Sequence, residues 1–298
     1  MPIPSFARRT FLASLLALGA AAFAPAYGLD LKLERISVTT VGKGSDVVLI
    51  HGLSSSPRVW RELIAAQPNH RYHLVQIAGF AGRPSGANAD GDVAAPVAEE
   101  VARYIAASGL NKPAVIGHSM GGTIGMMLAA RHPESLSKLM VVDMVPFLGA
   151  LFGPPGTTAQ SVKPIADGWL AQSRAAEPAA RRARSEANIK TMIDTVAMRP
   201  GALDDSFTSD PDVAARAMHE LIATDLTPEL ARISVPTTVL YVTPKAPGLT
   251  DEKIDGLYQA AYTPLKGAKL KRIPASAHFI MWDQPATFQA EVKTFLGD

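Results

Sequence analysis

Short, almost unbroken apolar runs recur along this chain, each followed by a stretch with helical periodicity, and this alternation restricts the fold more than any other feature. Residues 46–50 (DVVLI), 72–77 (YHLVQI), 114–116 (AVI) and 138–142 (KLMVV) read as strands, while 57–67, 92–107 and 120–131 read as helices. Strand, helix, strand in succession indicates βαβ units. Strands that are apolar on both sides belong in a parallel sheet covered by helices on both faces. Ser56 followed by Pro57 supplies an N-cap and a first-turn proline for one such helix. An α/β fold with a mostly parallel central sheet is therefore predicted.

The pattern breaks after Asp143. Residues 145–164 are rich in Gly and Pro, and from 165 to about 230 the sequence is helical in character, with no strand signal. Strand signals return at 237–242 and 268–273, with a helix at 250–262 between them and an amphipathic helix at 285–296. This organisation predicts a core in two parts, residues 27–145 and 232–298, interrupted by a helical cap at 146–231. The 298-residue chain contains no cysteine, which excludes disulfides, thiolate nucleophiles and thiolate metal sites.

Residues 1–26 have the composition of an export signal: Arg8 and Arg9, an apolar run at 11–23, then Ala22, Ala24 and Ala26. The run is shorter than the roughly 20 residues that a membrane span requires. ARRTFLA resembles the twin-arginine export motif, so the expectation is an exported protein, periplasmic or secreted, with no membrane span in the mature chain. The full chain has a net charge of +2, and losing Arg8 and Arg9 would leave it near zero. No basic footprint for nucleic acid remains. Arg181, Arg182 and Arg184 read as a solvated helix face.

Residues 114–122 (AVIGHSMGG) place Ser119 between Gly117 and Gly121, directly after a buried strand and at the start of a helix. This is the context in which G-x-S-x-G marks a nucleophile on a sharp turn. The turn is tight enough that side chains two residues either side of the serine would meet neighbouring backbone. The helix N-terminus supplies N–H groups able to stabilise negative charge. Residues 46–50 run into His51-Gly52-Leu53, so the amides of Leu53 and Met120 are the expected oxyanion donors.

Together these residues resemble the α/β-hydrolase family, in particular its cap-bearing esterase branch. The resemblance spans nearly all of the mature chain: His51-Gly52, the turn at 117–122, and Ser276-Ala-His278-Phe279 followed by Asp283-Gln-Pro285. It implies the chain order serine, acid, histidine, which makes His278 the general base. His70, His73, His118, His132 and His219 fit that order or position poorly. Residues 76–85 (QIAGFAGRPS) depart from the acid- and proline-bearing loop common among relatives.

The acid is also displaced. Relatives usually carry it just after the next-to-last strand, where this chain reads YVTPKAPG at 241–248 and offers only Asp251, Glu252 and Asp255 at a helix start. The fold's other location is the end of the strand after the nucleophile helix, where Asp143 stands. Asp143 is favoured, with Asp251 or a neighbour as the alternative. The resemblance implies a serine hydrolase that cleaves carboxylic esters of short to medium acyl length through an acyl-enzyme on Ser119. It needs no metal or organic cofactor, and its partner is a small-molecule ester. Phe147, Phe152, Trp169 and Phe207 are candidates for an apolar lining. The same machinery could act on a lactone, an amide or a carbon–carbon bond, and a non-catalytic binding protein of this fold is the rival from another class. A serine at position 119 disfavours chemistries that use an aspartate nucleophile there.

Overall fold

A computed structural model describes residues 32–297, Pro155 excepted. The expected export signal at 1–26 lies outside the described residues. Among those described, seven strands occur: β1 (Ile36–Gly42), β2 (Ser45–Ile50), β3 (His70–Ile77), β4 (Ala114–His118), β5 (Lys138–Val142), β6 (Thr237–Tyr241) and β7 (Lys269–Arg272). They form one sheet in the order β1-β3-β2-β4-β5-β6-β7, with β1 antiparallel to β3 and every other pair parallel.

The sequence reading missed β1. Its residues, ISVTTVG, are largely half-exposed or exposed, because an antiparallel edge strand needs no continuous apolar run. The central strands are buried on both sides. In β2, Val48 and Ile50 face one apolar cluster with Val97 of α2 (Ala94–Ala107) and Ile124 of α3 (Met120–Arg131). Val47 and Leu49 face another with Leu63 of α1 (Arg61–Ala66) and Phe288 of a C-terminal helix at Pro285–Leu296. The two-residue period of a strand feeds both layers at once. The predicted helix at 57–67 is in fact a 3-10 turn, Pro57–Trp60, followed by α1.

Among the described residues, three 3-10 turns (Leu148–Phe152, Val196–Met198 and Thr227–Arg232) and four α-helices, α4 (Ala159–Ala175), α5 (Pro178–Met192), α6 (Arg199–Thr208) and α7 (Pro211–Ala223), lie between β5 and β6. Phe147, Val162, Ala166 and Ile222 form a separate small core there. Buried carboxylates bind this helical segment to the sheet domain. Glu220 of α7 accepts N–H bonds from Val93, Ala94 and Ala95, satisfying the otherwise orphaned N-terminus of α2. Asp205 accepts the Ser56 hydroxyl at 2.6 Å. After β6 come α8 (Asp251–Ala261), α9 (Ile280–Asp283) and α10 (Pro285–Leu296).

The chain moves from β2 outward to β3 and then returns past β2 to β4. Such a reversal opens a crevice at the carboxyl ends of the strands. Ile50 pairs with Gly117, and His118 pairs with Val142. Register thus sets His51 beside His118 and Ser119 beside Asp143 at the carboxyl ends of the central strands.

Candidate active site

Ser119 sits at φ 54°, ψ −121°, a conformation that costs a non-glycine residue roughly 1–3 kcal/mol. Its neighbours hold it there. Its N–H donates to the Val142 carbonyl at 2.9 Å, and its carbonyl accepts from Gly122 and Thr123 at 2.7 and 3.2 Å. A Cβ at Gly117 would lie 2.1 Å from the Gly121 oxygen, and one at Gly121 would lie 2.2 Å from the Ile50 oxygen. Both flanking glycines are required because backbone already occupies the space a side chain would take.

At the end of β2, His51 is fully buried. The Ile77 N–H donates to its Nε2 at 3.1 Å, so Nδ1 carries the proton and donates to the Gly52 carbonyl at 2.8 Å. Burial lowers its pKa to about 4, which keeps the ring neutral. With the Gly52 carbonyl drawn to the imidazole, the trans peptide turns the Leu53 N–H the opposite way. Met120 is the first residue of α3, where an N–H has no intrahelical partner.

Asp143 closes β5 with a positive φ of 52°. Its Oδ2 accepts from His278 Nδ1 at 2.6 Å, while its Oδ1 accepts from the Val242 N–H at 3.1 Å and the Tyr258 hydroxyl at 3.2 Å. Burial, reinforced by the Asp143 charge, pushes the Tyr258 phenol well above its ordinary pKa, so its O–H remains a donor. The alternative acid is engaged elsewhere: Asp251 accepts from Thr243 at 2.6 Å and pairs with Arg272 at 2.7 Å. Asp255 likewise serves Tyr241 and Arg272.

With Nδ1 on Asp143, the other ring nitrogen of His278 is directed away from the carboxylate, and His278 and Ser119 line the same cavity. Among the described residues no side chain hydrogen-bonds the Ser119 hydroxyl. Such a bond commonly tightens only when substrate arrives. His118 ties the two halves together, its Nε2–H donating to the His278 carbonyl at 3.1 Å with the two rings 4.6 Å apart. Burial, aided by His278, lowers the His118 pKa well below its ordinary value, and its buried Nδ1 has no partner among the described residues. Asp283 accepts from the N–H groups of Ala277, Asp194 and Thr195, joining the histidine loop to the residues after α5.

In the sequence Asp283 stands out only as part of the motif after His278, and His118 only as a poor candidate for the base; neither shows a positioning role there. Tyr258 carries no sequence signal, because its contact with Asp143 forms only when segments 115 residues apart meet.

The cavity is about 960 Å³ in volume. Phe152, Trp169 and Phe207 line it as expected, but Phe147 does not, because it fills the small core with Val162. Arg181, Arg182 and Arg184, expected as a solvated helix face, also line it, Arg182 exposed and the other two half-buried. Ser185, Asn188 and Ile189 of the same helix line it too. Among the described residues, no cluster of histidine and carboxylate side chains is placed to hold a metal ion, and no helix is long and apolar enough to cross a membrane.

Residues 47–291 match the profile of the Alpha/beta hydrolase family. The chain is 27% identical over 269 residues to the pimeloyl-[acyl-carrier protein] methyl ester esterase of Vibrio cholerae serotype O1, covering 85% of this chain and 92% of that one. An esterase from Exiguobacterium antarcticum superposes with a TM-score of 0.74 at 18% identity, covering 89% of this chain and 96% of the other. The enol-lactonase from Burkholderia xenovorans LB400 gives 0.69 at 18% identity, covering 88% and 96%.

Proposed function

The chain belongs to the alpha/beta hydrolase family, and on that footing we propose that it hydrolyses carboxylic esters through an acyl-enzyme on Ser119. The observation that carries this reading is the His278–Asp143 hydrogen bond of 2.6 Å in a cavity that Ser119 also lines from a strained turn. Kinship with a relative named as a methyl ester esterase supports an ester as the bond cleaved.

A serine hydroxyl is too weak an acid to attack unaided, so His278 takes its proton as Ser119 Oγ bonds to the ester carbon. The developing oxyanion is met by the Leu53 and Met120 amides, each donor worth roughly 3–4 kcal/mol. Collapse breaks the bond to the alkoxide, which leaves as alcohol with the proton from His278. Water then attacks the acyl-enzyme, again giving its proton to His278, and the carboxylic acid departs as the Ser119 hydroxyl is restored. Asp143 fixes the imidazole with Nδ1 protonated and stabilises the imidazolium. The helical segment serves as a cap, and its apolar residues favour short to medium acyl groups.

The decisive test is Ser119→Ala, for which kcat on 4-nitrophenyl butyrate is expected to fall by about 10⁶-fold. Retention of wild-type turnover would refute the scheme. The Arg8-Arg9 segment supports export to the periplasm or beyond, and N-terminal sequencing of protein from fractionated cells tests it.

A further inference from the structure

Charge on the cavity wall is one-sided. Three arginines of α5 line it, and among the described lining residues the only carboxylate is Asp143, whose oxygens are already taken by His278, Val242 and Tyr258. Arg182 is exposed, lies 3.8 Å over the Phe207 ring and has Glu186 at 3.7 Å. Arg181 and Arg184 differ from it. Both are half-buried, and their partners are neutral: the Ala176 carbonyl for one and the Ser173 hydroxyl, at 3.4 Å, for the other. No carboxylate among the described residues pairs with either.

A guanidinium carries five N–H donors, and drawing it partly out of water without a counter-ion is costly. The C-terminal end of α4, where both rest, offsets part of that cost, yet most of the donors remain uncommitted. Neutral hydrogen-bonding groups stand on the same wall: Asn188, Ser185 and Ser206, the last two 3.0 Å apart. The lining contributed by the turn at 148–152 and by α4 and α7 is largely apolar, with Leu148, Phe152, Trp169 and Met218. A cleft with cationic side chains and low-dielectric walls concentrates anions.

We propose that Arg181 and Arg184 form an anion subsite, and that the substrate is an ester bearing a carboxylate on a part of the molecule remote from the scissile bond, its alkyl chain resting on the apolar lining. This rests on the ester-hydrolase reading above. It concerns which ester is preferred, through a charge-assisted contact that a planar guanidinium makes in bidentate form.

The test compares 4-nitrophenyl hydrogen suberate with its neutral carbamoyl analogue, using the full-length protein at low salt and at about 0.5 M NaCl. Wild type is expected to show a kcat/KM ratio of about tenfold or more in favour of the anionic ester, carried by KM and shrinking in high salt. Arg181→Gln with Arg184→Gln lowers that ratio toward one, Arg184→Lys retains part of it, and the exposed Lys266→Gln leaves it as in wild type. Equal turnover of the two esters by wild type overturns the inference, as does a double variant that loses both in the same proportion. Failure of wild type to cleave either ester overturns the ester reading and this inference with it; cleavage without preference overturns the inference alone.

Discussion

Replacing Asp143 with asparagine probes the site most sharply, because the structure dictates how the new amide must sit. Oδ1 receives two donors, the Val242 N–H at 3.1 Å and the Tyr258 hydroxyl at 3.2 Å, while Oδ2 receives His278 Nδ1 at 2.6 Å. An asparagine satisfies both fixed donors only with its carbonyl oxygen in the Oδ1 position. Its NH₂ then faces His278 Nδ1, which must become the acceptor, so the ring proton moves to Nε2. That tautomer cannot take a proton from Ser119. The side chain stays nearly isosteric, so the fold is retained while the base is disabled. A wrong-tautomer variant of this kind loses about 10⁴-fold in kcat. Asp251→Asn changes a carboxylate bound to Thr243 and Arg272 and is expected to stay within twofold of wild type, roughly 0.4 kcal/mol. Both are measured as 4-nitrophenyl butyrate hydrolysis by purified variants, with circular dichroism to show that each is folded. Turnover by Asp143→Asn within tenfold of wild type, or a collapse in Asp251→Asn instead, would refute the reasoning.

Tyr258→Phe removes one of the two donors on Oδ1 and is expected to lower kcat roughly tenfold, the worth of a hydrogen bond to a charged group; an unchanged kcat would deny the tyrosine a part in holding Asp143. Gly121→Ala forces a Cβ to within 2.2 Å of the Ile50 oxygen, so stability in urea should fall by about 3 kcal/mol or more, and a variant as stable as wild type would contradict the described turn. Burial takes His51 from 6.5 down to about 4. Its contribution is therefore fully present above the unfolded value and is lost as pH falls from about 6.5 toward 4, up to about 3 kcal/mol. Urea unfolding across that range should show a shallower pH slope in His51→Gln than in wild type, and parallel slopes would count against a buried neutral imidazole.

Much of this protein was legible in the chain itself. The apolar runs within β2, β4 and β5 announced a parallel sheet because the buried stretch of a strand covered on both faces is nearly continuously apolar, whereas in β3 His73 and Gln76 interrupt it. Gly117 and Gly121 marked Ser119 because a tight turn leaves room for no Cβ. Strand β1 escaped notice because an edge strand, half in water, has no such constraint on its composition.

What the linear order left open was which acid meets His278, since it favoured Asp143 but kept Asp251 or a neighbour as an alternative. Sheet order decided it: β5 lies next to β4, so Asp143 projects beside the nucleophile turn, whereas Asp251 begins α8 and turns to Arg272. Local sequence fixes period, turn chemistry and caps through near neighbours. The meeting of side chains 135 residues apart, and the turning of Arg181 and Arg184 toward a cavity, depend on packing between layers that no single segment encodes.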